Sequence, residues 1–258
     1  MVTVATSVFW IVLIIFAMFA IYSLENTRFE IGKPQTTMAS DNELVFIFPV
    51  EIVNNGYYDL NDLNISTEIK DAQNSITAQG FTFVPVVDTS ETLNTTHQMR
   101  INLTDIFQTD PYLAFNDTEL QVNATVRMNA AELISLQASS NIIIPWGAPL
   151  YNLKFGTKQF EAQISDNSTR FYRVTIPTAF ENHASFDLNG TIELNAYDNK
   201  NILTYSDNII FDAPRQSTYE ADLNFNIPAA DVSTNGRLEA FFRTPFLDYG
   251  PLVIHYGN

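Results

Sequence analysis

Cysteine is absent from the chain, which removes disulfides, thiolate zinc sites, iron–sulfur clusters, cysteine nucleophiles and the usual blue-copper ligand set together. The compartment stays open, since a disulfide-free domain can live on either side of a membrane. Positive charge is scarce as well. Thirteen Lys and Arg, only five of them Lys, stand against 29 Asp and Glu, for a net charge of −16. No basic cluster interrupts that balance, so phosphate backbones are repelled and nucleic acid is not expected as a partner. Histidine is limited to His97, His183 and His255, with no i, i+2 or i, i+4 pairing of the kind a metal site uses. The Gly-x-Ser-x-Gly, Walker, dinucleotide and His-Glu-x-x-His patterns are all missing. No catalytic residue and no cofactor is expected; the chain does not read as an enzyme.

An apolar fraction of 46%, with 20 Phe and 11 Tyr, is ample for packed cores. One long apolar run stands out. Residues 2–24, VTVATSVFWIVLIIFAMFAIYSL, carry no charge, and about 20 residues cross a bilayer as helix. Trp10 and Tyr22 are placed as interfacial anchors. A cleaved signal peptide is the rival reading. It is disfavoured by the missing basic n-region, the length of the run, and Met18 before Ala20 at the only small-residue site. Residues 1–25 are therefore expected to be a retained, single-pass signal-anchor in the cell membrane.

Two signals compete over orientation. Arg28 and Lys33 follow the run and nothing basic precedes it, which by the positive-inside rule favours a cytoplasmic domain. Against this stand seven Asn-x-Ser/Thr sequons, at Asn64, Asn94, Asn102, Asn116, Asn123, Asn167 and Asn189, all beyond the run. As candidate N-glycan acceptors they favour extracytoplasmic domains of a cell-surface glycoprotein.

Past residue 43 the pattern is almost wholly β. In LNISTEI, Leu63, Ile65, Thr67 and Ile69 alternate with Asn64, Ser66 and Glu68, the period of a strand with one buried face. The chain then repeats itself. FPVEIVNNGYYDL, 48–60, matches IPTAFENHASFDL, 176–188, at a shift of 128: Pro49 with Pro177, Asn54 with Asn182, Asp59 with Asp187, Leu60 with Leu188. At a shift of 127, Asp71 meets Asp198 and Thr77 meets Thr204. So long a period means a duplicated domain rather than a solenoid. About seven short strands per copy, with turn signals every 8–12 residues, predict two Ig-like antiparallel β-sandwiches. The Asn54-Asn55-Gly56 break reads as a structural corner, with Gly56 supplying backbone freedom. LTDIFQTDPYLAF, 103–115, is the exception and predicts a short helix. The expected organisation is anchor 1–25, stalk 26–42, first sandwich 43–144, linker 145–156 and second sandwich 157–258.

Acidic turns are the remaining candidates for chemistry. Asp59, Asp62, Asp71, Asp187 and Asp198 are weak calcium candidates, because Ca²⁺ takes six to eight oxygens and loop carboxylates supply them. Asp is also common in turns for its own backbone bonding, and no EF-hand loop is present. Tyr57, Tyr58, Phe171, Tyr172, Phe241, Phe242 and Tyr249 are either core or a contact face. Adjacent pairs among them must put one ring on each side of a strand.

The alternating strand, the Asn-containing corner and the late strand leading into a short helix together resemble the LEA14/WHy (late-embryogenesis-abundant, water-stress) domain. The likeness covers most of 43–144 and, more loosely, 157–257. That family often carries Asn-Pro-Asn at the corner, where this chain has Asn54-Asn55-Gly56 and Asn182-His183-Ala184. The resemblance implies a fibronectin-III-like sandwich, no catalytic residues and a binding or protective role; a membrane-anchored tandem form is similar to archaeal surface proteins of this type. The expected function is thus a non-enzymatic, membrane-anchored adhesion, spacer or assembly module that contacts other membrane or surface proteins. The alternative is an accessory subunit capping the outer face of a membrane complex.

Overall fold

The computed structural model describes residues 2–40, 42–70, 76–157, 159–164, 170–229 and 235–256; the candidates Asp71 and Asn167 lie outside them. Helix α1, Val2–Glu25, is followed by two runs of eight strands. Copy one contains β1 Thr27–Ile31, β2 Gln35–Ser40, β3 Glu43–Asn54, β4 Leu60–Lys70, β5 Ile76–Val87, β6 Glu91–Asn102, β7 Thr118–Ala130 and β8 Ile134–Trp146. Copy two contains β9 Tyr151–Phe155, β10 Gln159–Ile164, β11 Arg170–Asn182, β12 Leu188–Asp198, β13 Leu203–Ala213, β14 Ser217–Pro228, β15 Gly236–Arg243 and β16 Asp248–Tyr256. The protein is all-β and antiparallel apart from α1 and a short insert. Within α1, side chains are described at Trp10, Val12–Phe16, Met18, Phe19, Ile21–Ser23 and Glu25, and no helix of described residues is long and apolar enough to cross a membrane.

Copy two forms two four-stranded sheets. One has the order β10-β11-β14 with β9 also on β11, and the other is β13-β12-β15-β16. Phe180 of β11 meets Phe211 of β13 and Phe242 of β15, and Tyr219 of β14 meets Phe211, with ring centroids 5.9–6.3 Å apart across the sheets. That interdigitation is the core of a sandwich. Copy one repeats the order, but Ala78–Gly80 of β5 pair with Met99–Ile101 of β6, which joins its halves into one eight-stranded sheet. Val50 and Ile52 of β3 there pack against Leu63, Ile65, Val84 and Val87. The alternation in β4 is as the sequence predicts: Leu63, Ile65, Thr67 and Ile69 are all buried.

In the segment 26–42, expected to be a stalk, Thr27–Ile31 and Gln35–Ser40 are instead strand. β1 pairs with β3 from Thr27↔Asn54 to Ile31↔Val50, and β2 also lies on β3. Likewise β9, inside the expected linker 145–156, pairs with β11. These are halves of an interrupted edge strand, and proline marks the interruption. Gly32 N–H donates to Pro49 O at 2.8 Å, and Gly156 N–H to Pro177 O at 2.7 Å. A strand residue's N–H and C=O point the same way, so the missing donor of each proline faces the gap between half-strands, where no bond is lost.

The insert predicted over 103–115 is α2, Leu103–Thr109, followed by a 3₁₀ turn, Pro111–Ala114. Asn102 Oδ1 caps α2 by accepting from Thr104 and Asp105 N–H. Contacts divide the chain into two compact units: Met1–Thr37, Leu44–Ile101 and Leu120–Ile144, and then Met38–Glu43, Asn102–Glu119 and Pro145–Asn258. The insert thus belongs to the second unit, where Trp146 donates from Nε1 to Leu113 O at 2.8 Å and packs on Phe107 and Phe186.

Candidate functional site

The two corners are built alike. Asn54 and Asn182 are fully buried. Asn54 Nδ2 donates to Tyr58 O, Val87 O and Asp88 O at 3.0–3.2 Å, while its Oδ1 accepts from Gly56 N–H. Asn182 Nδ2 donates to Phe186 O, Ala213 O and Pro214 O at 2.9–3.2 Å, and its Oδ1 accepts from Ala184 N–H. One amide thereby satisfies two loops where the ladder ends, which explains why Asn is kept at both positions when its neighbours change.

Gly56 does not serve the freedom expected of it, since its φ is not positive. A Cβ there would fall on Ser23 Oγ and lie 2.7 Å from Ser23 O. The end of α1 occupies that space: Ser23 Oγ accepts from Tyr57 N–H at 2.8 Å and Tyr58 N–H at 3.3 Å, and Asn55 N–H donates to Asn26 O. Phe16 meets Tyr58, and Phe19 and Tyr22 meet Tyr57, with centroids 5.6–5.7 Å apart. In copy two His183 N–H makes the matching bond to Ala148 O at 2.9 Å, and Ala184 fills the glycine position.

The acidic candidates are spread among separate turns. Asp59 Oδ1 accepts from Thr89 N–H and Oγ1–H at 2.8 Å, and its repeat partner Asp187 accepts from Arg215 N–H. Asp198 Oδ1 closes its own turn on Lys200 and Ile202 N–H, and Asp62 accepts from Asn129 Nδ2. Among the described residues no three His, Asp or Glu side chains are grouped to hold a metal ion.

One polar cluster was not legible in the sequence. His183 Nδ1 lies 2.7 Å from Asp117 Oδ2 and Nε2 lies 2.9 Å from Glu181 Oε2, with the ring stacked on Tyr151 at 4.4 Å. Asp117 also accepts from Ala148 N–H. The hydrogen bond to Asp117 raises the His183 pKa above its ordinary 6.5, helped by Glu181 and opposed by desolvation. The bond to His183 lowers that of Glu181. Since the carboxylates sit on opposite ring nitrogens, they bridge the imidazole and cannot converge on a cation. His97 is the opposite case. It is buried between Thr67 Oγ1 and Thr82 Oγ1, 2.8 and 3.0 Å from Nε2 and Nδ1, and desolvation lowers its pKa.

The six described sequon asparagines are Asn64, Asn94, Asn102, Asn116, Asn123 and Asn189, and all are exposed or half-buried. The buried asparagines Asn54, Asn182 and Asn195 lie outside sequons. Among the aromatics, Phe242 is core, its neighbour Phe241 lies under the Arg243 guanidinium on the other face, and Tyr249 packs at a tilt against Phe115. Phe171 and Tyr172 are half-buried on β11, whereas Tyr57 is 59% exposed.

No protein-family model matches the chain, and no curated protein does. Among solved structures, a red sea bream transglutaminase aligns over 88% of this chain and 31% of that chain, at 14% identity and a TM-score of 0.29. This chain spans under a third of that protein's length, and so weak an alignment carries no argument about fold or activity.

Proposed function

We propose that the chain is a non-enzymatic, membrane-anchored structural or interaction protein, carrying two Ig-like sandwiches on the extracytoplasmic side. The observation that carries this reading is α1. It runs 24 residues, uncharged up to the closing Glu25, about 36 Å of helix, and the protein leaves Trp10, Val12, Ile14, Met18 and Ile21 more than half exposed. Lipid is the environment in which such a stripe costs nothing. The repeated strand order, in which the interrupted edge strand counted once leaves three strands on one side and four on the other, supports the Ig-like and LEA14/WHy-like reading. Sequon asparagines at the surface, set against buried non-sequon ones, support glycosylation and therefore the outward orientation.

The accessory-subunit reading is favoured by Phe81 and Phe83, 66% and 50% exposed on the outer face of β5, an apolar pair suited to a protein partner. Native membranes extracted in mild detergent and resolved on a native gel separate the two readings. A discrete large band with stoichiometric companions establishes the subunit. A monomer-sized band that sharpens on deglycosylation establishes the stand-alone surface module, and a chain that leaves the membrane in carbonate refutes both.

A further inference from the structure

The corner of copy one differs from that of copy two in what covers it. Tyr58 and Phe186 are equivalent, and Phe186 is 3% exposed beneath Trp146 and Phe246. Tyr58 is covered by Phe16 of α1 instead. Tyr57 corresponds to Ser185 in copy two, so an aromatic stands at this place only in the copy that a helix enters. Ser23 is 2% exposed and bonded to the corner backbone, and β1 starts two residues after Glu25. No slack separates helix from sandwich.

Depth along α1 follows from the ring contacts. Phe16 is seven residues before Ser23, about 10 Å of helix, and helical side chains lean further toward the N-terminus. Each interfacial zone of a bilayer is about 5–7 Å thick. A ring held beside Phe16 or Phe19 is therefore drawn into the interface whenever those residues reach hydrocarbon.

We propose that the first corner is a membrane-contact surface, with Tyr57 and Tyr58 seated in the bilayer interface beside α1, so that the first sandwich lies against the lipid instead of standing off on a stalk. The proposal rests on the reading of α1 as the membrane anchor. Tyrosine suits the position, since its ring is apolar and its hydroxyl stays at the headgroups. The surrounding charge selects the lipid. Asp59, Asp88 and Glu91 flank the corner, and Arg28, opposite Val53 beside it, pairs with Glu30 and Glu51. The contact therefore takes a zwitterionic or neutral interface and gains nothing from anionic headgroups.

Because the chain lacks cysteine, single-cysteine spin labels test this directly. The full chain is reconstituted in phosphatidylcholine vesicles with a nitroxide at Val12→Cys, Asn55→Cys, Tyr57→Cys or Gln79→Cys. Asn55 and Tyr57 have exposed side chains that tolerate the change. Gln79 pairs with Glu68, roughly 25 Å along β4 from the corner. Oxygen accessibility is expected to exceed that of a nickel chelate several-fold at 12, 55 and 57, with the reverse at 79, unchanged by phosphatidylglycerol. A lipid-exposed label at 12 with labels at 55 and 57 as chelate-accessible as 79 overturns the proposal and leaves the anchor standing. A chelate-accessible label at 12 overturns the anchor, and the proposal with it.

Discussion

Replacing Asn182 by alanine tests the claim that one buried amide holds the second corner together. The substitution removes the donors to Phe186 O, Ala213 O and Pro214 O and strands the Ala184 N–H, whose acceptor was Asn182 Oδ1. A typical hydrogen bond contributes about 1 kcal/mol, while a buried group left unsatisfied costs about 1–3 kcal/mol. The sum is about 3–5 kcal/mol, a large share of the roughly 5–15 kcal/mol that stabilises a domain. With a urea slope of about 2 kcal/mol per molar, the midpoint falls by about 2 M. Trp146, packed on Phe186 in the same unit, reports the transition by fluorescence in detergent solution. Asn182→Asp keeps the acceptor for Ala184 but turns a carboxylate toward three carbonyl oxygens. It is expected to be worse than alanine at pH 8 and to recover as the pH falls and the group protonates. A midpoint shift below about 0.5 M for alanine, or an aspartate tolerated as well as asparagine, refutes the reasoning.

Asn54→Ala should lower the unfolding midpoint of the first unit by a similar amount, read from the loss of its dispersed amide resonances in urea. His183 has a raised folded pKa, so its contribution is full below pH 6.5 and lost as pH rises through the folded value; that of Glu181 is full above 4.5 and lost as pH falls through its lowered value. The bridge is thus strongest between those pH values, and Asp117→Asn should move the imidazole titration seen by NMR downward; an unchanged titration sinks this. His97 has a lowered folded pKa, so its contribution is present above pH 6.5 and lost on acidification through the folded value. The first unit should weaken between pH 7 and 5 in wild type but not in a His97→Gln variant. Gly56→Ala must displace the end of α1 and should cost about 1–3 kcal/mol, whereas the reciprocal Ala184→Gly meets no clash and should cost about 1 kcal/mol; equal melting-temperature losses would remove the case for close approach.

The corners were legible because the repeat preserves Asn, Asp and Leu wherever backbone groups need them. The strand β4 was legible because one buried face forces alternation from Leu63 to Ile69. The half-strands β1, β2 and β9 were not, since each has five or six residues and none of them is buried, which gives periodicity too little to act on. Their register comes from β3 and β11 rather than from their own side chains. The role of Gly56 was hidden for a related reason, because the atom that requires it belongs to Ser23, outside the repeat. Asp117 and His183 are 66 residues apart, and nothing in either local sequence links them. The acidic turns were visible as residues, but carboxylates already committed to backbone N–H groups look in sequence like any potential ligand.

The short pairing between β5 and β6 divides the two copies in their exposure to unwanted growth. In copy one it closes the facing edges of β5 and β6 over Ala78–Gly80 and Met99–Ile101. Among the described residues β13 and β14 belong to different sheets, so in copy two both edges stay open, and β13 carries Ile210 at 82% exposure and Leu203 at 51%. Open edges with apolar side chains are where foreign strands add. Crowding, partial unfolding or high expression should therefore bring out self-association through the second copy, and a lysine placed at Ile210 would be the economical way to suppress it.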